Sequence, residues 1–556
     1  MEKGFSKEAY AEQKSIEQEL AKQKFTEKEF LTFLEEFEAK AIPLQVEMAN
    51  ARWLSQTTGR PEDLAKSGEL SANYMKKMSD RGAFQKIVGF REAAAVQEPL
   101  AARQLDLLYR NFLRNQIDGQ TISELVQRQT EISGDFVNFR TELNGEKVSD
   151  NVILDILGEE TDNTVRQQAW EASKKIGVLV ADKVIALVKL RNRIARQLGF
   201  SDFYCMSLTL SELDVPEVFG IFDEFKKLSD QPFADVKKNL DRQLAQRFGV
   251  DIAQLRPWHY SDPFFQEAPK TSRVDLDAYY RGRNLEELAV KYYDGIGLEV
   301  RDILKNSDLY EREGKCQHAF CMDVDRQGDI RILANLRPDA KWMTTLLHEL
   351  GHAVYDKYVD ASLPHRLRTA AHTLTTEAVA QLNGRMSQDA VFLHQIVGLE
   401  RDEAEALAGE LKHNLQLAQL IFARWGMTVA YFERSMYSNP DQDLNRLWWD
   451  LVEEMQLLTR PEGRNQRPDW AAKIHLANFP AYYQNYVLGE MTASQLWAHL
   501  TTKVVQAPSI VGQPDAGKFL IEQVYRPGAR YHWSEMLQRA TGEKLNPAHY
   551  LKQFVG

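Results

Sequence analysis

At 556 residues the chain exceeds the size at which a single hydrophobic core usually stops growing, so two or more lobes, or one large interdigitated unit, are expected. Its 80 acidic and 69 basic residues give a net charge of −11 without long single-sign blocks, which argues against nucleic acid or an anionic membrane as the main partner. Three cysteines, Cys205, Cys316 and Cys321, form no disulfide framework and no paired CxxC site, and no stretch approaches the roughly 18 apolar residues of a membrane span.

The first residues, MEKGFSKEAYAEQKSIEQEL, are charged and lack the apolar core of a signal peptide. With the cysteine usage this points to a cytoplasmic protein, unless a leader or anchor has been removed. From there the apolar residues recur at helical spacing: Phe30, Leu34 and Phe37, then Leu105, Leu108 and Phe112, then Val184, Leu187 and Leu190. Turn-rich stretches at 142–150, 261–275, 306–315 and 459–469 predict loops, and none is long enough to be a domain linker. Residues 318–335 depart from helix: His318 to Val324 and Ile330 to Leu333 read as two short strands around Asp325, Gln327, Gly328 and Asp329.

A helix is predicted next, over Trp342 to Tyr358, with Met343, Leu346, Leu347, Leu350 and Val354 on its apolar stripe. Within it stands H-E-L-G-H. His348 and His352, four apart, lie one above the other and can both reach an ion at about 2.0–2.1 Å. Glu349, rotated by about 100°, can stand beside the ion and act on its water. Gly351 costs roughly 1 kcal/mol relative to alanine inside a helix, so close approach of another backbone is expected there. The pentapeptide alone also fits the polar face of a helix, and a third ligand decides between the readings. The candidates are His365, His372 and Glu377; the last lies on a second helical stripe marked by Ala371, Leu374, Ala378 and Leu382.

From His318 to Glu377 the order of motifs resembles the zinc peptidyl-dipeptidases of the angiotensin-converting-enzyme family. H-A is followed by D-I-R-I, then H-E-L-G-H, then L-P with Arg368, then E-A at Glu377. The resemblance implies one zinc ion per chain held by His348, His352 and Glu377, with Glu349 as general base. It continues in A-K-I-H-L-A-N-F-P-A-Y-Y-Q-N-Y-V (472–487). There it implies that His475 hydrogen-bonds substrate backbone, that Tyr486 stabilises the oxyanion, and that Lys473 with Tyr483 holds the substrate's C-terminal carboxylate. One insertion between His475 and Tyr486 leaves Tyr482 as an alternative to Tyr483. His318 and Ala319 match a strand that runs beside bound peptide. A weaker likeness at 191–204 extends toward the N-terminus. The fold implied is mainly α: a single peptidase unit over 1–556, with a helical half at 1–270 and a catalytic half at 271–556. The two would enclose a deep channel, with a small hairpin beside the zinc helix.

Departures bear on detail. Asn485 stands where the family has an arginine, against chloride activation of the family's kind, and Gln381 stands where an aspartate backs a ligating histidine. Gln317 replaces a family cysteine, and no glutamine for the substrate carboxylate is evident near Asp277 to Tyr280. The missing glutamine weakens the resemblance at the substrate carboxylate, but with Lys473 in place the activity that the resemblance implies is hydrolysis of short peptides with release of C-terminal dipeptides. Internal cleavage, as in enzymes resembling oligoendopeptidase F or thimet oligopeptidase, is the alternative, and an inactive peptide-binding scaffold is a remote one. Glu349 speaks against the last, since a binder needs no general base.

Overall fold

The computed structural model describes residues 25–148, 150–269, 274–316 and 318–555. The opening stretch read for a signal peptide, Gln317 and part of the 261–275 loop lie outside them. The described chain is mainly helical with two small antiparallel two-stranded sheets, as the apolar spacing predicts. No helix among the described residues is long and apolar enough to cross a membrane.

The first group comprises α1 (Glu27–Thr58), α2 (Pro61–Met78), α3 (Arg81–Glu92) and α4 (Pro99–Arg114). Helix α1 starts at a capping box in which Thr26 and Glu29 exchange backbone and side-chain hydrogen bonds, satisfying donors that a helix start leaves open. Phe30, Leu34, Phe37, Leu105, Leu108 and Phe112 share a core there with Ile87 and Phe90. A far larger core gathers residues from Ile132 to Phe554, Val184 and Leu187 among them. Arg366 bridges toward the first group through an ion pair with Glu38 at 3.1 Å.

The turn-rich stretch at 142–150, expected as a loop, is itself a hairpin of β1 (Thr141–Leu143) and β2 (Glu146–Val148). Its Asn144-Gly145 dipeptide is the one that two-residue hairpin turns favour. The hairpin expected within 318–335 forms as β3 (Phe320–Asp323) and β4 (Ile330–Leu333), with Phe320 opposite Leu333 and Asp323 opposite Ile330. His318 and Ala319 fall just ahead of β3 instead of within it. The ladder ends at Phe320, and beyond it Asn335 meets the chain through its side chain, donating Nδ2 to the Cys316 carbonyl at 3.0 Å.

Three helices then carry most of the site: α5 (Ala340–Tyr358), α6 (Thr373–Gly384) and, after the long α7 (Arg401–Ser438), α8 (Tyr483–His499). Asp339 caps α5 by accepting from the Trp342 N–H at 2.7 Å, and the predicted stripe of Met343, Leu346, Leu347, Leu350 and Val354 is fully buried. Gly351 explains why α6 packs so closely on α5. A Cβ at that position would stand 2.7 Å from Ala380 Cα and 3.1 Å from the Val379 carbonyl oxygen. Gly489 does the same for α8, where a Cβ would stand 3.1 Å from Glu377 Cβ. Gly351→Ala is accordingly expected to lower stability by about 1–3 kcal/mol despite alanine's better helix propensity. A thermal melt unchanged or raised by this substitution would refute the close approach.

Candidate active site

His348 and His352 project from one face of α5, their rings 4.9 Å apart and steeply inclined. Glu377, from the second turn of α6, brings Oε2 to 3.7 Å from His348 Nε2 and 4.0 Å from His352 Nε2. Ligand atoms around a tetrahedral zinc ion stand roughly 3.3–3.5 Å apart, so a small inward movement closes this set on an ion. Glu377 Oε2 is buried without a hydrogen-bond partner, an acceptor aimed between two imidazoles. Burial holds His348 down at about 4 and His352 well below its ordinary value, so both are neutral, the form in which a histidine ligates metal. Burial also pushes the Glu377 carboxyl up to about 7, a cost that a cation at this point would reverse. The donor set therefore fits zinc, and among the described residues it is the one His/Cys/Asp/Glu group spaced to hold a metal.

The other two candidates for third ligand lie outside the cluster. His372 caps α6, its Nδ1 accepting from the Leu374 N–H, while Nε2 meets the Ser211 carbonyl. His365 sits in a short turn outside the cluster. Around the ligands, His352 Nδ1 pairs with Thr376 Oγ1 at 2.7 Å, and the Tyr482 hydroxyl donates to Glu377 Oε1 at 3.1 Å. Gln381 supplies neither bond: its Oε1 is buried without a partner and faces Gly489 on α8.

Glu349 is only 7 % exposed and is held by β3, whose Cys321 N–H donates to its carboxylate. Burial, with Glu377 nearby, pushes it up to about 8. The charge of a cation held beside it would draw this carboxyl back down toward neutral pH, where a carboxylate of raised proton affinity can accept a proton.

The C-terminal candidates form an adjoining group. Tyr486 has its ring 5.0 Å from Tyr482 and 5.6 Å from Tyr483, and it senses the charges of both Glu377 and Glu349. Burial and those charges push its hydroxyl up to about 12, so it remains a donor. His475 packs 5.2 Å from Tyr483 and is held neutral, down at about 4, by burial and by Lys473 and His318. Its Nδ1 is buried without a partner. His318 is exposed and Ala319 half-buried at the entry to β3. Lys473 Nζ stands among the rings of Trp425 at 5.3 Å, Phe264 at 5.4 Å and Tyr483 at 5.9 Å, and burial lowers it to about 8.

Lys473 also donates to Gln266 Oε1 at 2.8 Å, a residue that reading the sequence missed. Asp277 and Tyr280 are occupied elsewhere: Asp277 accepts from the Ala340 N–H and the Tyr280 hydroxyl donates to the Ser387 carbonyl. The usable signal was D-P-F-F-Q. Buried Asp262 accepts from the N–H groups of Phe264, Gln266 and Glu267, folding the loop that presents Gln266. The structure also separates the two tyrosines left open by the insertion. Tyr483 lies with Lys473 and His475, and Tyr482 with Glu377. A cavity of about 730 Å³ lined by Arg385, Trp497, Lys503 and Phe554 lies toward the far ends of α6 and α8 and includes none of these residues.

A family model described as angiotensin-converting enzyme matches residues 24–251 and 267–555. Among curated proteins the chain is similar to the angiotensin-converting enzyme of Mesocricetus auratus, 23 % identical over 422 residues, which is 69 % of this chain and 32 % of that protein. The enzyme of the same name from Rattus norvegicus is 26 % identical over 421 residues, with the same two coverages. The angiotensin-converting enzyme-related protein of Drosophila melanogaster is 24 % identical over 352 residues, covering 60 % of this chain and 50 % of that protein. The chain thus spans between about a third and a half of these relatives' lengths.

Proposed function

The chain belongs to the angiotensin-converting enzyme family of peptidases, and from that premise we propose that it is a zinc peptidase releasing dipeptides from the free C-termini of short peptides. When bound, zinc supplies a Lewis acid for the scissile carbonyl and acidifies the water that attacks it. His348, His352 and Glu377 would hold the ion. Glu349 takes the proton from the attacking water and passes it to the leaving amine. The Tyr486 hydroxyl donates to the carbonyl oxygen as negative charge grows there. His475 offers a neutral imidazole to substrate backbone, and His318 and Ala319, ahead of β3, offer backbone groups to an extended peptide.

The observation that carries dipeptide release is the meeting of Lys473 with Gln266 at 2.8 Å, beside Tyr483. A half-desolvated ammonium, an amide and a phenol form a grip for a carboxylate, and Lys473, lowered to about 8 by burial, regains full charge when an anion joins it. Internal cleavage needs no such anchor. The test is mass spectrometry of products from one peptide with a free C-terminus and the same peptide amidated, each with and without a chelator. Dipeptides from the free-ended peptide, lost on chelation and sharply reduced on amidation, support the proposal. Internal fragments formed equally from both peptides refute it. Lys473→Ala is expected to lower kcat/KM on the free-ended peptide about 10- to 150-fold, the worth of a charge-assisted hydrogen bond, and to leave the amidated one nearly unchanged.

A further inference from the structure

Two of the three side chains grouped to hold a metal are hydrogen-bonded by hydroxyl groups. Thr376 precedes Glu377 on α6, so one helix turn sends a carboxylate toward the ion and a hydroxyl to the ring of His352, 2.7 Å from its Nδ1. With Nε2 given to a metal, Nδ1 carries the proton and donates to Thr376 Oγ1. Tyr482 does for Glu377 what Thr376 does for His352, engaging Oε1 at 3.1 Å and leaving Oε2 alone between the imidazoles.

Tyr482 reaches Glu377 because of a kink. Ala481, just before it, has φ of 54°, a left-handed conformation that L-residues other than glycine rarely adopt. Two bonds hold it there. Its N–H donates to Oε1 of Glu433 at 2.7 Å, a carboxyl only 1 % exposed, and its carbonyl accepts from Gln484 Nε2. Ala481 is thus clamped from the core side, and Tyr482, which follows it, meets Glu377 while Tyr483 sits with Lys473.

We propose that Tyr482 and Thr376 are positioning residues of the zinc centre: Tyr482 fixes Glu377 so that only Oε2 faces the ion, and Thr376 fixes His352 with Nε2 facing it. This rests on the zinc reading of the site. Outer partners of this kind, when removed, typically cost 10- to 100-fold in metal affinity. Hydroxyls orient their ligands without adding negative charge, so the site needs no carboxylate where Gln381 stands.

Zinc affinity of the full chain, measured by competition with a chromophoric chelator, tests this without any substrate. Tyr482→Phe and Thr376→Val are each expected to weaken zinc about 10-fold or more, with metal-free thermal melts close to wild type. Thr376→Ser, which keeps the hydroxyl, is expected to stay within about twofold. Affinities of both hydroxyl-free variants within about twofold of wild type would overturn the proposal. Tyr482→Phe with wild-type zinc affinity but lowered kcat would overturn it for Tyr482 and make that residue an oxyanion donor. A wild-type chain that takes up no zinc would overturn this proposal together with the reading beneath it, whereas zinc-binding wild type with unaltered variants sinks this proposal alone.

Discussion

Glu349→Gln is expected to keep its zinc and lose kcat by about 10³-fold, within the 10²–10⁴ that a positioned general base contributes. Glutamine has nearly the same shape and can still accept from the Cys321 N–H, so β3 and α5 remain in register. It cannot take a proton. Glu349 lies outside the three-residue ligand group, so metal content measured by elemental analysis stays at one ion per chain. The loss falls on kcat and kcat/KM alike, because the proton moves only on the way to the transition state. Turnover within about threefold of wild type would remove Glu349 from this role.

Tyr486→Phe is expected to lower kcat by about 10²–10³-fold with KM little changed, the effect of deleting one oxyanion donor. The phenol is well placed for a role confined to the reacting state. Its ring is wedged against Tyr482, Tyr483 and Phe422, so phenylalanine preserves the packing. Its hydroxyl has no hydrogen-bond partner among the described residues. A substitution that raised KM and left kcat alone would make Tyr486 a ground-state binding residue.

Much of this arrangement was legible before any coordinates. His348, Glu349 and His352 are fixed relative to one another by helix period, and Gly351 announced a close approach by its propensity cost. Choosing Glu377 over His365 and His372 required the order of motifs, because spacing alone cannot say which helix returns to the ion. The groups that were missed share one cause. Thr376, Gln266 and the placing of Tyr482 beside Glu377, where the sequence offered it only as an alternative to Tyr483, depend on tertiary contacts that carry no periodic signature. Gln266 depends on a loop folded around Asp262 and falls outside the two stretches matched by the family model, while Tyr482 depends on a left-handed Ala481 held by a glutamate 48 positions away. The strand at His318 and Ala319 was overextended for a related reason, since a side chain took over where the ladder stopped.

The contact of Lys473 with Gln266 joins residues 207 positions apart, and α8, which carries Tyr486, packs closely against α6 where Gly489 meets Glu377. A growing chain leaves the ribosome with both histidines and Glu377 long before Lys473 and Tyr486 appear. Tyr482, which engages Glu377, and α8, which packs on α6, arrive with that same late stretch of chain. The site is therefore completed only when the last quarter of the chain folds back onto α5 and α6, and nothing short of the whole chain brings its parts together.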